Sequence, residues 1–321
     1  MLYLGDNELS ELNLNFVDSI SYIEKGLKLI NEKDFAQPLK PYLRFGNPKN
    51  RIIAMPSYVG GDINISGIKW IASFPDNIKK NIRRANSVVV LNDTETGVPI
   101  SIINSPYLSI LRTASVSGSI ISNYKKNRNL SNLQIGIMGW GPIGKAHFEM
   151  LKTILGESVT EYRVFDLRDM SEDQVIKNNK KIKLVSKWED AFLNSDIVFT
   201  CTVSDAPYIN KKPKKGALLM NVSLRDYTVD FYQYLDNATI IVDDWDEVCR
   251  ENTDIENFYK YKNLTKDKTI SIDEYILKNE IEKIDTDKLI MFNPMGMAVF
   301  DMCIGRYIYD TARAKNIGKD L

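Results

Sequence analysis

The residues best suited to chemistry fall in one short run, Gly139-Trp140-Gly141-Pro142-Ile143-Gly144, within QIGIMGWGPIGKAHFEML. This is a GxGxxG that directly follows a strand-like run and opens a helix. The first glycine allows the tight turn, the second lets the backbone approach a pyrophosphate, and the third lets helix and strand pack closely. The helix N-terminus then offers free N–H groups and the positive end of a dipole to phosphates. Asp166 ends the next strand, RVFD, 22 residues after Gly144. A carboxylate there accepts hydrogen bonds from both ribose hydroxyls and repels a 2′-phosphate, so the spacing points to NAD rather than NADP. Arg168, close by, works against that preference. The competing reading is a glycine turn and a surface Asp. A second cofactor contact fits Cys201-Thr202-Val203, after the strand DIVFT, because open α/β sheets bind ligands at the carboxyl ends of their strands. An ordinary strand-to-loop turn would look the same.

Two charged residues stand out by context. Lys69 lies in ISGIKWIA, an apolar strand-like run, where a cation needs a buried partner or a ligand. Asp226 follows the strand ALLMNVSL; as a carboxylate it could take a proton from an attacking water or orient it, and as an Asp it would also suit a helix N-cap. His147 is the only histidine and falls inside the helix after GxGxxG, where a packed or half-exposed role is expected. One histidine argues against both a histidine-based mechanism and a metal site. Cys201, Cys249 and Cys303 are odd in number and far apart, without CxxC spacing, so neither a disulfide framework nor structural zinc is expected, and a reducing cytosol fits.

The elements that position these residues fall into three parts. In the first, to about residue 115, Val17, Ile20, Ile23, Leu27 and Ile30 recur three or four apart, which predicts an amphipathic helix over 16–31. Short apolar runs at Arg51–Met55, Ile65–Ala72, Ser87–Leu91 and Ile100–Ile103 are bounded by the turn residues Gly60-Gly61, Pro75-Asp76-Asn77 and Asn92-Asp93, and predict a sheet packed on one helix. A helix from Tyr107 to about Tyr124 leads out of it. In the second part, runs at Leu133–Met138, Tyr162–Phe165, Ile197–Thr200, Ala217–Val222 and Ile240–Val242 mostly lack alternation, as strands buried on both faces do. Helix-like segments between several of them indicate a parallel doubly wound sheet. Leu289–Phe292 reads as its last strand, and Met297 to about Lys315 as one helix expected to return to the first domain. The fold class is therefore α/β: a Rossmann NAD-binding domain over 116–296 and a discontinuous α+β domain made of 1–115 with 297–321. The polar segment 249–286 is the least legible.

Composition sets outer bounds. Hydrophobic residues make up 44% and charged residues 26% of 321, ordinary for a globular chain of about two domains. Lys plus Arg equals Asp plus Glu at 42 each, which leaves no basic excess for nucleic acid. No run approaches the length of a membrane span, and the N-terminal stretch lacks a basic region followed by a long apolar run, so no secretory signal is expected.

Several segments together resemble the ornithine cyclodeaminase/mu-crystallin family: RIIAMPSYVGG with SGIKWI, VVVLNDTETGVPI, LRTASVS, GWGPIG, and NPMGMAVFD. They span almost the whole chain in the family's order. FAQPLKPYLR, TCTVSDAPYI, VDDW and NPMGMA are similar to a siderophore-precursor branch of that family. The resemblance implies a homodimer, with the first domain and the last helix forming the dimer and substrate half. It implies removal of hydride from an amino-acid C–N carbon and attack of water or amine on the imine. In that branch the substrate is glutamate whose nitrogen carries a 2-amino-2-carboxyethyl group, and the products are 2-oxoglutarate and L-2,3-diaminopropionate. Arg44, Lys69 and Arg112 match the family's substrate-binding positions, and planar Arg forks suit carboxylates. Arg112-Thr113 opens the passage toward the Rossmann domain, so Thr113 is placed with the cofactor contacts. Gln37 and Lys40, in AQPLKPYLR, either add polar contacts or form a plain loop. Met295 and Met297 read as packing around Gly296, where backbone approach matters, with Met295 also among the cofactor contacts. The chain departs from ornithine cyclodeaminases at NVSLRDYTVD, which lacks the proline, glycine and glutamate of their GDxPGKxE loop. That weakens ornithine cyclisation and leaves Asp226 as the acid–base candidate. The alternatives are an ornithine or lysine cyclodeaminase, an alanine dehydrogenase or a ketimine reductase of the same family, and a non-catalytic NAD-binding protein.

Overall fold

The structure is a computed structural model that describes residues 1–321. Its first elements are β1 (Leu2–Leu4), α1 (Asp6–Glu11), α2 (Phe16–Asn31), β2 (Phe35–Ala36), β3 (Tyr42–Leu43), β4 (Arg51–Val59), β5 (Ile65–Ser73), β6 (Ala85–Asn92), β7 (Pro99–Asn104) and α3 (Tyr107–Asn127). Asn15 caps α2 by accepting from the Asp18 amide, and Ile20, Ile23 and Leu27 bury its apolar stripe. Val17, at the stripe's end, is exposed. Strands β4 to β7 form an antiparallel run in which Met55, Lys69 and Val89 stand opposite one another. With side chains alternating between faces, this register puts Lys69 on the buried face. Pro75-Asp76-Asn77, expected as turn residues, open a short 3-10 helix, Pro75–Lys80.

The chain next forms β8 (Leu133–Met138), α4 (Pro142–Leu155), β9 (Val159–Phe165), α5 (Gln174–Lys177), β10 (Ile182–Leu184), α6 (Trp188–Phe192), β11 (Ile197–Thr200), β12 (Leu218–Asn221), β13 (Thr239–Val242), α7 (Trp245–Val248), α8 (Asp254–Lys262), β14 (Thr269–Ser271), α9 (Ile272–Leu277) and β15 (Ile290–Asn293). Its eight strands are all parallel, in the order β10-β9-β8-β11-β12-β15-β13-β14. Every residue of β11, β12 and β15 is buried, as expected of strands covered on both faces. The order reverses between β8 and β11, the switch point at which doubly wound sheets bind ligands. The polar segment 249–286 contains α8, capped by Thr253, together with β14 and α9, and it buries Ile255, Phe258, Ile272 and Tyr275.

Helix α10 (Ala298–Lys315) and β16 (Lys319–Asp320) complete the chain. Every residue of α10 from Ala298 to Gly305 is buried, as in a helix enclosed on all sides. It packs across β4, β5 and β6 and against α2, returning to the first unit as its sequence led us to expect. Gly26 permits the approach, since a Cβ there would meet Cys303 Sγ at 2.6 Å. Two compact units result: Met1–Val116 with Gly296–Leu321, and Ser117–Met295. No helix is long and apolar enough to cross a membrane.

Candidate functional site

In the first unit, α10 delivers a carboxylate to the buried face of β5. Lys69 Nζ donates to Asp301 Oδ1 at 2.7 Å, and Arg112 Nε donates to the same oxygen at 3.0 Å. The Lys69 and Asp301 side chains are 1% and 0% exposed. Lys40, also buried, donates from Nζ to Gly296 O at 2.9 Å. Gln37 Oε1 accepts from the Val299 amide at 3.0 Å, within the first turn of α10. Glycine is required at 296: its φ is +89° and a Cβ would lie 2.5 Å from the Arg112 guanidinium. The sequence candidates Gln37, Lys40, Lys69 and Arg112 therefore meet around the start of α10. Arg44 lies in an exposed loop, where Nη1 donates to Pro48 O at 3.3 Å and the guanidinium lies over the Tyr42 ring.

Lys69 and Arg112 share one carboxylate oxygen, and the titration of the cluster follows from burial and from that sharing. Burial pushes Lys69 down to about 7; Asp301 opposes the shift, and Arg112 and Lys40 add to it. Burial works to raise Asp301, but Arg112 and Lys69 outweigh it and hold the carboxyl below its usual range. Lys69 is thus lowered by burial and Asp301 by its two cationic partners, and an anion bound beside Lys69 would favour its charged form. Asp301 was not legible as a site residue, although an Asp within AVFDMCIG meets the same criterion that singled out Lys69.

In the second unit the GxGxxG turn opens α4, with Gly141 at the N-cap and Pro142 and Ile143 as its first residues. Gly139 has φ +96°, and a Cβ there would meet Cys201 O at 2.5 Å. A Cβ on Gly144 would lie 2.0 Å from Gly139 O, whereas one on Gly141 would meet nothing within 4 Å. The first and third glycines thus serve close packing, and the second borders open space at a helix N-terminus. That is the arrangement a pyrophosphate needs. Asp166 is not a surface residue, its side chain being 9% exposed. Its Oδ2 accepts from the Trp140 amide at 2.7 Å, and Arg168 donates to both of its oxygens at 2.9 Å. Burial works to raise Asp166, but hydrogen bonds from Arg168 and Trp140 hold it low, so it is ionised and able to accept ribose hydroxyls. The residues present fit an NAD-type dinucleotide.

Cys201 N donates to Met138 O at 2.7 Å, closing the loop after β11 against the glycine turn. Val203 is exposed, and the Met295 amide donates to Asp243 Oδ1 at 3.0 Å. In the first unit the Thr113 hydroxyl donates to Ser109 O within α3. His147 is buried, with Nδ1 2.8 Å from Ile143 O and Nε2 2.9 Å from Ser117 Oγ. Burial pushes it down to about 4, which leaves it neutral.

Asp226 is not a helix cap. It is buried in the turn after β12, where Thr202 Oγ1 lies 2.7 Å from both carboxylate oxygens and Ser223 Oγ donates to Oδ2 at 2.6 Å. Burial raises its pKa against those hydrogen bonds. Ser223 Oγ also lies 2.8 Å from Thr200 Oγ1, Thr200 donates to Asn221 Oδ1, and Asn221 Nδ2 donates to Asp254 Oδ2 and Asn293 Oδ1. A connected polar network thus crosses the carboxyl ends of β11, β12 and β15. Its members beyond Thr202 and Asp226 carried no sequence signal, because Ser, Thr and Asn at strand ends read as turn residues.

The sequence profile of the ornithine cyclodeaminase/mu-crystallin family matches residues 6–316. The chain is 34% identical to the N-((2S)-2-amino-2-carboxyethyl)-L-glutamate dehydrogenase of Staphylococcus aureus, with 100% of this chain and 98% of that protein covered. Its fold is similar to the Delta(1)-pyrroline-2-carboxylate reductase of Thermococcus litoralis, solved with NADH and L-proline, at TM-score 0.89 and 19% identity over 100% of both chains. It is also similar to an archaeal alanine dehydrogenase dimer with bound NAD, at TM-score 0.85 and 21% identity over 100% of this chain and 98% of that one. The chain belongs to the ornithine cyclodeaminase/mu-crystallin family.

Proposed function

We propose that the chain oxidises the glutamyl C–N bond of N-(2-amino-2-carboxyethyl)-L-glutamate and releases 2-oxoglutarate and L-2,3-diaminopropionate, a precursor for siderophore or antibiotic assembly. The enzyme class is NAD-dependent oxidation at an amino-acid CH–NH bond. The observation that carries the substrate reading is that two cations, the buried Lys69 and the largely buried Arg112, share the single carboxylate of Asp301. A substrate with three carboxylates matches a site in that condition, and the 34% identical relative bears the name of this activity.

Lys69 and Arg112 hold a substrate carboxylate, with Lys40 and Gln37 shaping the same pocket and Arg44 reaching the substrate from its exposed loop. Gly139, Gly141, Pro142, Ile143 and Gly144 hold the pyrophosphate, Asp166 the adenosine ribose, and Thr113, Cys201, Thr202, Val203 and Met295 the nicotinamide half. The chemistry NAD would supply when bound there is a hydride acceptor for the glutamyl Cα. The substrate nitrogen loses its proton, and Lys69 is suited to take it when neutral. Water then adds to the substrate imine; Asp226 takes its proton, and the carbinolamine collapses to the ketone and the free amine. The protein's part is orientation and electrostatics.

We further propose a homodimer built on the first sheet. Pro56, Ile68, Val90 and Ile102 stand in one row across four strands, on the face away from Lys69, and Trp70 beside them is 44% exposed. Such an apolar sheet face suits a second copy of the chain. The three free cysteines suit a reducing, cytoplasmic setting.

The test is substrate deuterated at the glutamyl Cα. The deuterium is expected in the reduced cofactor and not in the diaminopropionate. Deuterium retained in either organic product would overturn it.

A further inference from the structure

Asp226 owes its place to a second buried carboxylate. Asp254 is the first residue of α8, wholly buried, and its Oδ2 gathers three donors: Asn221 Nδ2 at 3.0 Å, the Asp226 amide at 3.3 Å and the Tyr227 amide at 3.4 Å. The Asp254 amide in turn donates to Leu224 O at 2.7 Å. Leu224 has φ +65°, a left-handed backbone that a branched apolar residue adopts only when its surroundings dictate it. Asn221 grips the same turn from the strand side, since its Oδ1 accepts from the Leu224 amide at 3.1 Å. A strained turn is thus held at both ends by side chains, and its product is the orientation of one carboxylate toward the hydroxyls of Thr202 and Ser223.

We propose that Asp254 is a positioning residue for Asp226, holding the turn 221–227 in the backbone shape that sets the Asp226 carboxylate in its place. The inference rests on the reading of Asp226 as the acid–base group. Burying a second carboxylate beside the first is costly, and the capping of α8 does not require it. Asp254 does not cap α8, because Thr253 already does. Its side chain is turned instead to the loop amides.

The test uses the full-length enzyme and four variants, with kcat, KM and the thermal midpoint measured for each. Asp254→Ala removes the acceptor, and Asp254→Asn keeps an oxygen for the two amides. Loss of a misplaced acid–base group is expected to lower kcat by roughly 10-fold or more in D254A with KM changed less than about threefold, and D254N is expected to recover most of that loss. Unchanged kcat in D254A, with only a lower thermal midpoint, would overturn the proposal, as would a D254N defect as deep as that of D254A. If D254A does not fold, Asn221→Ser loosens the same turn from its other end and must lower kcat in the same way; full activity there would overturn the proposal. The control is Asp226→Asn. An active D226N would remove the acid–base reading itself, whereas an inactive D226N beside a fully active D254A would remove only the role of Asp254.

Discussion

Replacing Asp301 by Asn keeps the shape of the side chain and removes its charge, leaving Lys69 and Arg112 without the carboxylate they share. At an effective dielectric of about 20, unit charges separated by the observed 2.7 Å and 3.0 Å attract by roughly 6 and 5.5 kcal/mol. Most of that gross attraction is offset by the desolvation of three buried ions. What remains on removing one member of a buried pair is typically about 3–5 kcal/mol. At roughly 2–4 °C per kcal/mol for a domain of this size, the thermal midpoint of D301N should fall by about 6–20 °C. The assay is thermal unfolding of wild type and D301N by circular dichroism in a weakly coordinating buffer, repeated with added glutarate. A dicarboxylate should raise the D301N midpoint more than that of wild type, because the variant carries the larger positive surplus. A D301N midpoint within about 2 °C of wild type would refute the claim that Asp301 is the charged anchor of the cluster.

Lys69→Ala should cut kcat/KM by roughly 10–150-fold, the loss of a hydrogen bond to a charged group, while the dissociation constant for NAD, measured by fluorescence titration, stays near that of wild type. Because Lys69 titrates at about 7 in the folded protein against 10.5 when exposed, the unfolded chain binds the extra proton between those values. The stability contribution of Lys69 is therefore full above about 10.5 and is lost as the pH falls through about 7. The denaturation midpoint of wild type should accordingly rise across that window, and K69M should flatten the rise. Gly141→Ala should melt like wild type yet bind NAD weakly, since its Cβ enters only open space; Gly144→Ala should be destabilised, since its Cβ collides with Gly139 O at 2.0 Å. Equal melting curves for both glycine variants would contradict that division of labour. Asp166→Ala should weaken NAD binding by roughly 10–150-fold in the same titration, and an unchanged affinity would remove Asp166 from the ribose site.

The parallel sheet was legible because its strands are short, continuous apolar runs, a consequence of burial on both faces. The helix 16–31 was legible through its spacing, although Val17 proved exposed where the stripe runs past the core. The illegible pieces share one cause. β10 and β14 are three-residue edge strands and β1 is another short one; each forms only because a neighbour supplies its hydrogen bonds. The segment 249–286 reads as polar since α8 and α9 are short and bury only a few residues each. At the site, residue type and context revealed Lys69, whose charge is out of place in an apolar strand. Its partner Asp301 sits in an equally apolar helix and could have been found by the same test. Asp254 could not, since Thr-Asp at a helix start is ordinary capping chemistry, and only the fold turns its side chain to the amides of Asp226 and Tyr227.

The most direct test of the central claim is absorbance in the NADH band with purified protein, NAD and N-(2-amino-2-carboxyethyl)-L-glutamate, with ornithine, lysine and alanine run in parallel. NADH formed with the first substrate alone, together with 2-oxoglutarate, is the result this account requires. No NADH with that substrate, alongside turnover of another of the amino acids, would contradict it and assign the site to a different reaction of the same family.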